Sequence, residues 1–124
     1  MKDLNGKVAV ITGGASGLGK AFAHKFGAAG MKLALADVEI PVLEETVADL
    51  RSNGIEVIGI PCDVSKAESV KNLYESVLSE FDEVHLLCLN AGVASGGPIV
   101  ESSLEEWNWV LGVNLYGIIH GLDT

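Results

Sequence analysis

The stretch Lys7-Val-Ala-Val-Ile-Thr12-Gly13-Gly14-Ala15-Ser16-Gly17-Leu18-Gly19 decides the fold. Its first six residues are a short apolar run of the kind that forms a buried strand. Leu18, Phe22, Phe26 and Ala29 follow at helical spacing, and Gly30 stands where that helix should end. A strand that passes through glycines into a helix has bare backbone at the turn. The free N–H groups and positive dipole end of the helix then face the space beyond the strand, where a pyrophosphate fits. The spacing Gly-x3-Gly-x-Gly lacks the closing Gly-Lys-Ser/Thr of a nucleoside-triphosphate loop. The turn therefore reads as a dinucleotide site, with Thr12, Gly13, Ser16, Gly17, Leu18 and Gly19 as candidate cofactor-binding residues.

Outward from this turn the pattern alternates. Lys32–Asp37, Ile55–Ile60 and Val84–Leu89 read as three further strands. Pro41 sits where a first helical residue would, Leu43, Val47 and Leu50 form an apolar stripe, and Asn53-Gly54 stops that helix. Ser65-Lys-Ala-Glu68 has the form of a capping box, with Val70, Leu73, Val77 and Phe81 behind it. Ser103-Leu-Glu-Glu106 is a second such box. Leu104, Trp107, Leu111, Leu115, Ile118 and Leu122 then predict one long amphipathic helix, with Trp107 and Trp109 straddling its core and surface sides.

Strand starts near 7, 32, 55 and 84 recur every 23 to 29 residues, the rhythm of βα units. The strands are apolar without alternation, so helices should cover both sheet faces. The expected fold is α/β, an open doubly wound parallel sheet (a Rossmann fold), here with about its first four strands. The last helix is still in phase at Thr124, with no capping glycine in place. Residues 1–124 thus read as one nucleotide-binding domain, truncated within the helix after strand four.

Composition narrows the function. The chain has 124 residues and 48% apolar content, enough for a packed core and too much for a disordered chain. Eight basic against 17 acidic residues, net −9, disfavour nucleic acid or an anionic membrane as partner. The longest apolar region, Val110–Leu122, is broken by Asn114 and His120 and is too short to span a bilayer. No signal peptide is evident, and a cytoplasmic location is the expectation. Cys62 and Cys88 fit neither a disulfide framework nor a zinc pattern and read as buried thiols. His24, His85 and His120 have no metal-ligand spacing, so no metal site is expected.

Four further marks carry chemistry. Asp37 ends the second strand, where an acid takes hydrogen bonds from both ribose hydroxyls and repels a 2′-phosphate. No Arg or Lys lies at positions 14–16 or 38 to offset it, which favours NAD over NADP; the plainer reading is a helix cap. Asp63-Val64 follows the third strand, placed to accept from an adenine amino group, or else simply to turn the chain. Asn90-Ala91-Gly92 follows the fourth strand, where small residues let backbone pass close to a flat ligand. Asn114 is polar within an apolar helix and needs a partner if buried, or faces solvent.

Together these marks resemble the short-chain dehydrogenase/reductase family of nicotinamide-dependent oxidoreductases, from Gly6 to the last residues. The family's glycine motif matches Thr12, Gly13, Gly17 and Gly19, its NAD-selecting acid Asp37, and its adenine-binding pair Asp63 and Val64. Its Asn-Asn-Ala-Gly motif matches Asn90, Ala91 and Gly92, with Leu89 departing from the first Asn. That departure puts one sheet-stabilising hydrogen bond in doubt, not cofactor binding. Asn114 matches the family's helix Asn, whose backbone carbonyl holds a water in the proton relay, and it is the one catalytic candidate.

The resemblance implies an NAD(H)-dependent oxidoreductase interconverting an alcohol and a carbonyl by hydride transfer. The family also needs a Ser and a Tyr-x-x-x-Lys pair. Tyr74 is followed four later by Leu78, and Tyr116 by His120, so neither fits. The chain alone is expected to be inactive, and the parent molecule active on a small alcohol or ketone. The alternative is a stand-alone, non-catalytic NAD-binding module. Methyltransferases share the glycine loop and strand-two acid, but the Asn-Ala-Gly segment and Asn114 argue against them; epimerases are harder to separate. In the family the last helix forms a subunit interface, so exposed Ile118, Ile119 and Leu122 and an unpaired fourth strand predict a homo-oligomer or an aggregation-prone chain.

Overall fold

The computed structural model describes residues 2–124. Its strands are β1 (Val8–Thr12), β2 (Lys32–Asp37), β3 (Val57–Pro61) and β4 (Leu86–Cys88). The helices are α1 (Gly17–Ala28), α2 (Ile40–Ser52), α3 (Ala67–Phe81), α4 (Leu104–Leu111) and α5 (Gly117–Asp123). All four strands run parallel in the order β3-β2-β1-β4. Val8 lies opposite Lys32, Leu33 opposite Val57, and Ala9 opposite Leu86.

Burial follows from this order. β1 is buried throughout and β2 along its middle, so their runs of Val, Ile, Leu and Ala need no polar alternation. One core packs Ile11, Leu33 and Leu35 against Ala23 of α1 and Leu43 and Leu50 of α2. The second packs Val8, Val10 and Ala34 against Val70, Leu73 and Val77 of α3. The sheet is therefore covered on both faces at its centre. The expectation of full cover fails at the edges: β3 and β4 are only partly buried because each lacks an outer neighbour.

The helix ends correct two further expectations. Ser65 does not cap α3; its hydroxyl donates to Asp63 Oδ1 at 2.6 Å, and Lys66 occupies the cap position. Ser103 does cap α4, accepting from the Glu106 N–H at 3.2 Å. The single long helix expected after it is instead interrupted, because the backbone opens into one wide π turn over Gly112–Tyr116 between α4 and α5. No residue of α4 is buried, so Trp107 and Trp109 both stay exposed and neither reaches the core. Ile118, Ile119 and Leu122 are 41%, 45% and 73% exposed, as the apolar pattern predicts for an uncovered face. Cys62 is buried, but Cys88, at the edge strand, is only partly so.

The chain runs outward from β1 to β2 to β3, then returns to the other side of β1 as β4. The strand order reverses between β1 and β4, and in such sheets the crevice outside the carboxyl ends at that point holds ligand.

Candidate functional site

A cleft of about 680 Å³ opens at that end of the sheet. Five segments line it: the glycine turn, the end of β2, the strap after β3, the loop after β4, and α4 with the π turn behind it. Of the residues singled out from the sequence, Gly13, Ser16, Gly17, Leu18, Asp37, Asp63, Val64, Asn90, Ala91 and Gly92 all line it. Thr12, Gly19 and Asn114 do not.

The glycines of the turn have different work. Gly13 has φ +65°, and a Cβ there would lie 2.9 Å from Ala91 Cα, so it lets the turn pass the β4 loop. Gly19, buried on α1, lies against the Gly13 carbonyl. Gly17 has φ +54°, and a Cβ there would meet no atom within 4 Å. It faces open cleft, at the first position of α1, where amides have no partner within the helix. Leu18 beside it is 63% exposed.

Thr12, only 3% exposed, is a junction and not a wall of the cleft. Its hydroxyl oxygen accepts from the Asn90 and Ala91 N–H groups at 3.0 and 3.1 Å and donates to the Cys88 carbonyl at 3.4 Å. The Asn90 side-chain amide donates to the Thr12 and Gly13 carbonyls at 3.1 and 3.3 Å. Together they tie the ends of β1 and β4. Leu89 takes no part in this; it lines an apolar groove with Val10 and Leu87 and rests against Gly121.

Asp37 accepts from two backbone N–H groups, Ala15 to Oδ2 and Glu39 to Oδ1, each at 3.1 Å. The first bond joins the acid to the glycine turn, so its carboxylate is held at the cleft wall and is no free helix cap. A carboxylate has about four acceptor sites, so two remain for a ligand. Asp63 Oδ1 is taken by the Ser65 N–H and hydroxyl, at 3.0 and 2.6 Å, while Oδ2 stands 3.9 Å from Lys66 Nζ. The turn role of Asp63 is thus filled by one oxygen only. Burial pushes the Cys62 thiol up, with a smaller upward push from Asp63 opposed by a Ser69 hydrogen bond.

Asn114 lies in the π turn. Its side chain accepts from the Val93 N–H and donates to the Val93 carbonyl, both at 2.7 Å. It clamps the β4 loop like a strand partner, which supplies the polar partners a helical Asn needs. His120 of α5 adds a contact to the Val64 carbonyl at 2.8 Å. Trp109 and Val113, one helical turn apart, also line the cleft, as do Val38 and Cys62. Sequence reasoning missed Trp109 and Val113 because their apolar character signals core.

A sequence profile described as short chain dehydrogenase matches residues 7–124. The chain belongs to that family. Among curated relatives, the C alpha-dehydrogenase of Sphingobium sp. is 42% identical over all of this chain and 41% of its own length. A solved short-chain dehydrogenase/reductase from Burkholderia phymatum in complex with NAD is 51% identical, with a TM-score of 0.97 over 99% of this chain and 44% of that one. The L-sorbose reductase of Gluconobacter frateurii, complexed with NADPH and L-sorbose, is 32% identical with a TM-score of 0.91, over 98% of this chain and 47% of that one. The chain spans less than half the length of the curated relatives it matches.

The residues present suit a nicotinamide dinucleotide. The open space at Gly17, the helix N-terminus behind it and the two remaining acceptor sites of Asp37 share one cleft, a set of donors that fits a diphosphate and a set of acceptors that fits hydroxyls.

Proposed function

We propose that this chain is the cofactor-binding part of an NAD(H)-dependent oxidoreductase that interconverts an alcohol and a carbonyl. The observation that carries the reading is the convergence of Gly17, Asp37, Asp63 and Gly92, from four separate connections, on one cleft. The dinucleotide supplies hydride chemistry when bound. The chain's own residues bind and orient. Ser16, Gly17 and Leu18 amides receive the diphosphate, Asp37 accepts from the adenosine ribose, and Asp63 Oδ2 accepts from the adenine amino group. Ala91 and Gly92 pass close to the remaining ring, and the Asn114 clamp holds that loop in place.

Asp37, with Glu39 next to it, makes this end of the cleft acidic, which supports NAD over NADP. These 124 residues contain no Tyr-x-x-x-Lys, the pair with which the family exchanges a proton with a substrate oxygen. We therefore expect no turnover by the chain alone, and a small alcohol or ketone as the substrate of the whole protein. The free edge of β4 and the exposed face of α5 support self-association, which sedimentation tests: a clean monomer contradicts it.

Parallel titrations with NADH, NADPH and S-adenosylmethionine test the cofactor assignment. NADH alone should bind tightly; preferential S-adenosylmethionine binding refutes it. A stand-alone NAD-binding module is the second reading. The mass of the native protein in its cells separates the two. About 13 kDa supports the module, and about twice that, as two βαβαβ halves require, supports the dehydrogenase.

A further inference from the structure

Thr12 and Thr46 are the buried polar side chains among the described residues. Thr12 joins β1 to the β4 loop, but Thr46 lies on α2, a helix from which the cofactor reading draws no residue. Its neighbours on the buried face, Leu43, Val47 and Leu50, are apolar. A threonine inside a helix commonly bonds the carbonyl of its own preceding turn. Thr46 instead donates its hydroxyl to the Ala15 carbonyl, 31 residues away in the glycine turn, at 2.7 Å.

We propose that Thr46 is a positioning residue for the diphosphate of the bound dinucleotide, holding the Ala15 carbonyl inward so that the Ser16 N–H faces the cleft. This rests on the cofactor reading above and deepens it. The Ala15 carbonyl and the Ser16 N–H belong to one planar trans peptide unit and point in opposite directions. The carbonyl points at Thr46, which is 1% exposed, so the N–H points away from the interior. Ser16 lines the cleft, and among the described residues its N–H has no protein acceptor. The preceding peptides are fixed independently: the Gly14 N–H donates to the Ala36 carbonyl at 3.2 Å and the Ala15 N–H to Asp37 at 3.1 Å. Both of those anchors come from β2 and its end. Thr46 is the anchor from α2, and it fixes the one remaining peptide. Turned over, that peptide would aim a carbonyl oxygen at the phosphates.

Ala15 is itself 1% exposed, so water does not readily replace the lost hydroxyl. Thr46→Val keeps the shape and removes the donor; Thr46→Ser keeps the donor. The probes are ADP-ribose, which carries the diphosphate, and adenosine, which does not, titrated into the ¹⁵N-labelled chain by NMR. T46V should weaken ADP-ribose roughly tenfold or more while adenosine stays within about twofold, and T46S should restore ADP-ribose binding. Unchanged ADP-ribose affinity in T46V, or equal loss of both ligands, overturns the proposal. If T46V does not fold, the unaltered chain decides. Its Ser16 amide resonance should move with ADP-ribose and not with adenosine, and a Ser16 amide indifferent to bound ADP-ribose refutes the assignment. No ADP-ribose binding by the unaltered chain would sink the cofactor reading as well, whereas a failure confined to the Thr46 variants leaves that reading standing.

Discussion

Replacing Asp37 with alanine should reverse much of the discrimination between the two nicotinamide cofactors. The carboxylate already accepts from the Ala15 and Glu39 N–H groups, which leaves two of its roughly four acceptor sites for ribose hydroxyls. Hydrogen bonds to a charged acceptor contribute about 1.5–3 kcal/mol each, and the half-buried setting of Asp37 selects the lower end. Losing two therefore costs NADH about 3 kcal/mol, roughly 150-fold in Kd. NADPH is relieved of like-charge repulsion, about 1–3 kcal/mol per unit charge at roughly 5 Å. Asp37→Ala also frees the Ala15 N–H and loosens the glycine turn, but that loss falls on both cofactors. The Kd ratio removes it. Fluorescence titrations of both cofactors, with circular dichroism to confirm folding, should show the NADPH/NADH ratio of Kd falling by about three orders of magnitude or more, since the two effects add to at least about 4 kcal/mol. A folded variant whose ratio moves less than about threefold would refute the ribose assignment.

Other consequences follow from single contacts. Asn114→Leu removes both 2.7 Å bonds to Val93, so limited proteolysis between residues 93 and 101 should quicken while the melting temperature falls only slightly. An unchanged cleavage rate would show that the clamp does not hold the loop. His85 Nδ1 accepts from the Val8 N–H at 3.0 Å, and Val8 is 2% exposed. His85→Leu should therefore cost about 1–3 kcal/mol in a denaturant melt by orphaning that N–H, and a neutral result contradicts the bond. Burial raises both cysteine thiols, so each holds less thiolate at neutral pH than a free cysteine does. Iodoacetamide should label the native chain slowly at pH 7, faster as pH rises, and fastest after unfolding; equal rates native and unfolded at pH 7 would contradict it.

The parts of the fold that depend on local pattern are legible in the sequence alone. β2 spans Lys32–Asp37 as its apolar run predicts, and the parallel sheet follows from the βα rhythm. Competition between side chains was not legible. Ser65 has the sequence of a helix cap, whose hydroxyl oxygen would accept from a backbone N–H, yet that hydroxyl donates to the Asp63 carboxylate and the cap position falls one residue later at Lys66, a shift that no spacing rule signals. The π turn at Gly112–Tyr116 was hidden for a similar reason. The apolar spacing runs through it unbroken, while the backbone widens where Gly112 and Gly117 pack against Ser65 and Val64. At the site, the glycines and acids carried their signal in residue type. Trp109 and Val113 did not, since an apolar residue looks the same in sequence whether it faces a core or a cleft.

The most direct test of the central claim is a titration of NADH into the ¹⁵N-labelled 124-residue chain, followed amide by amide. The account predicts saturable binding, with shifts concentrated at Ser16, Gly17, Asp37, Asp63 and Gly92, at the carboxyl ends of the strands. A folded chain that shows no saturable binding, or whose shifts lie along the β4 edge and α5 instead, would contradict it.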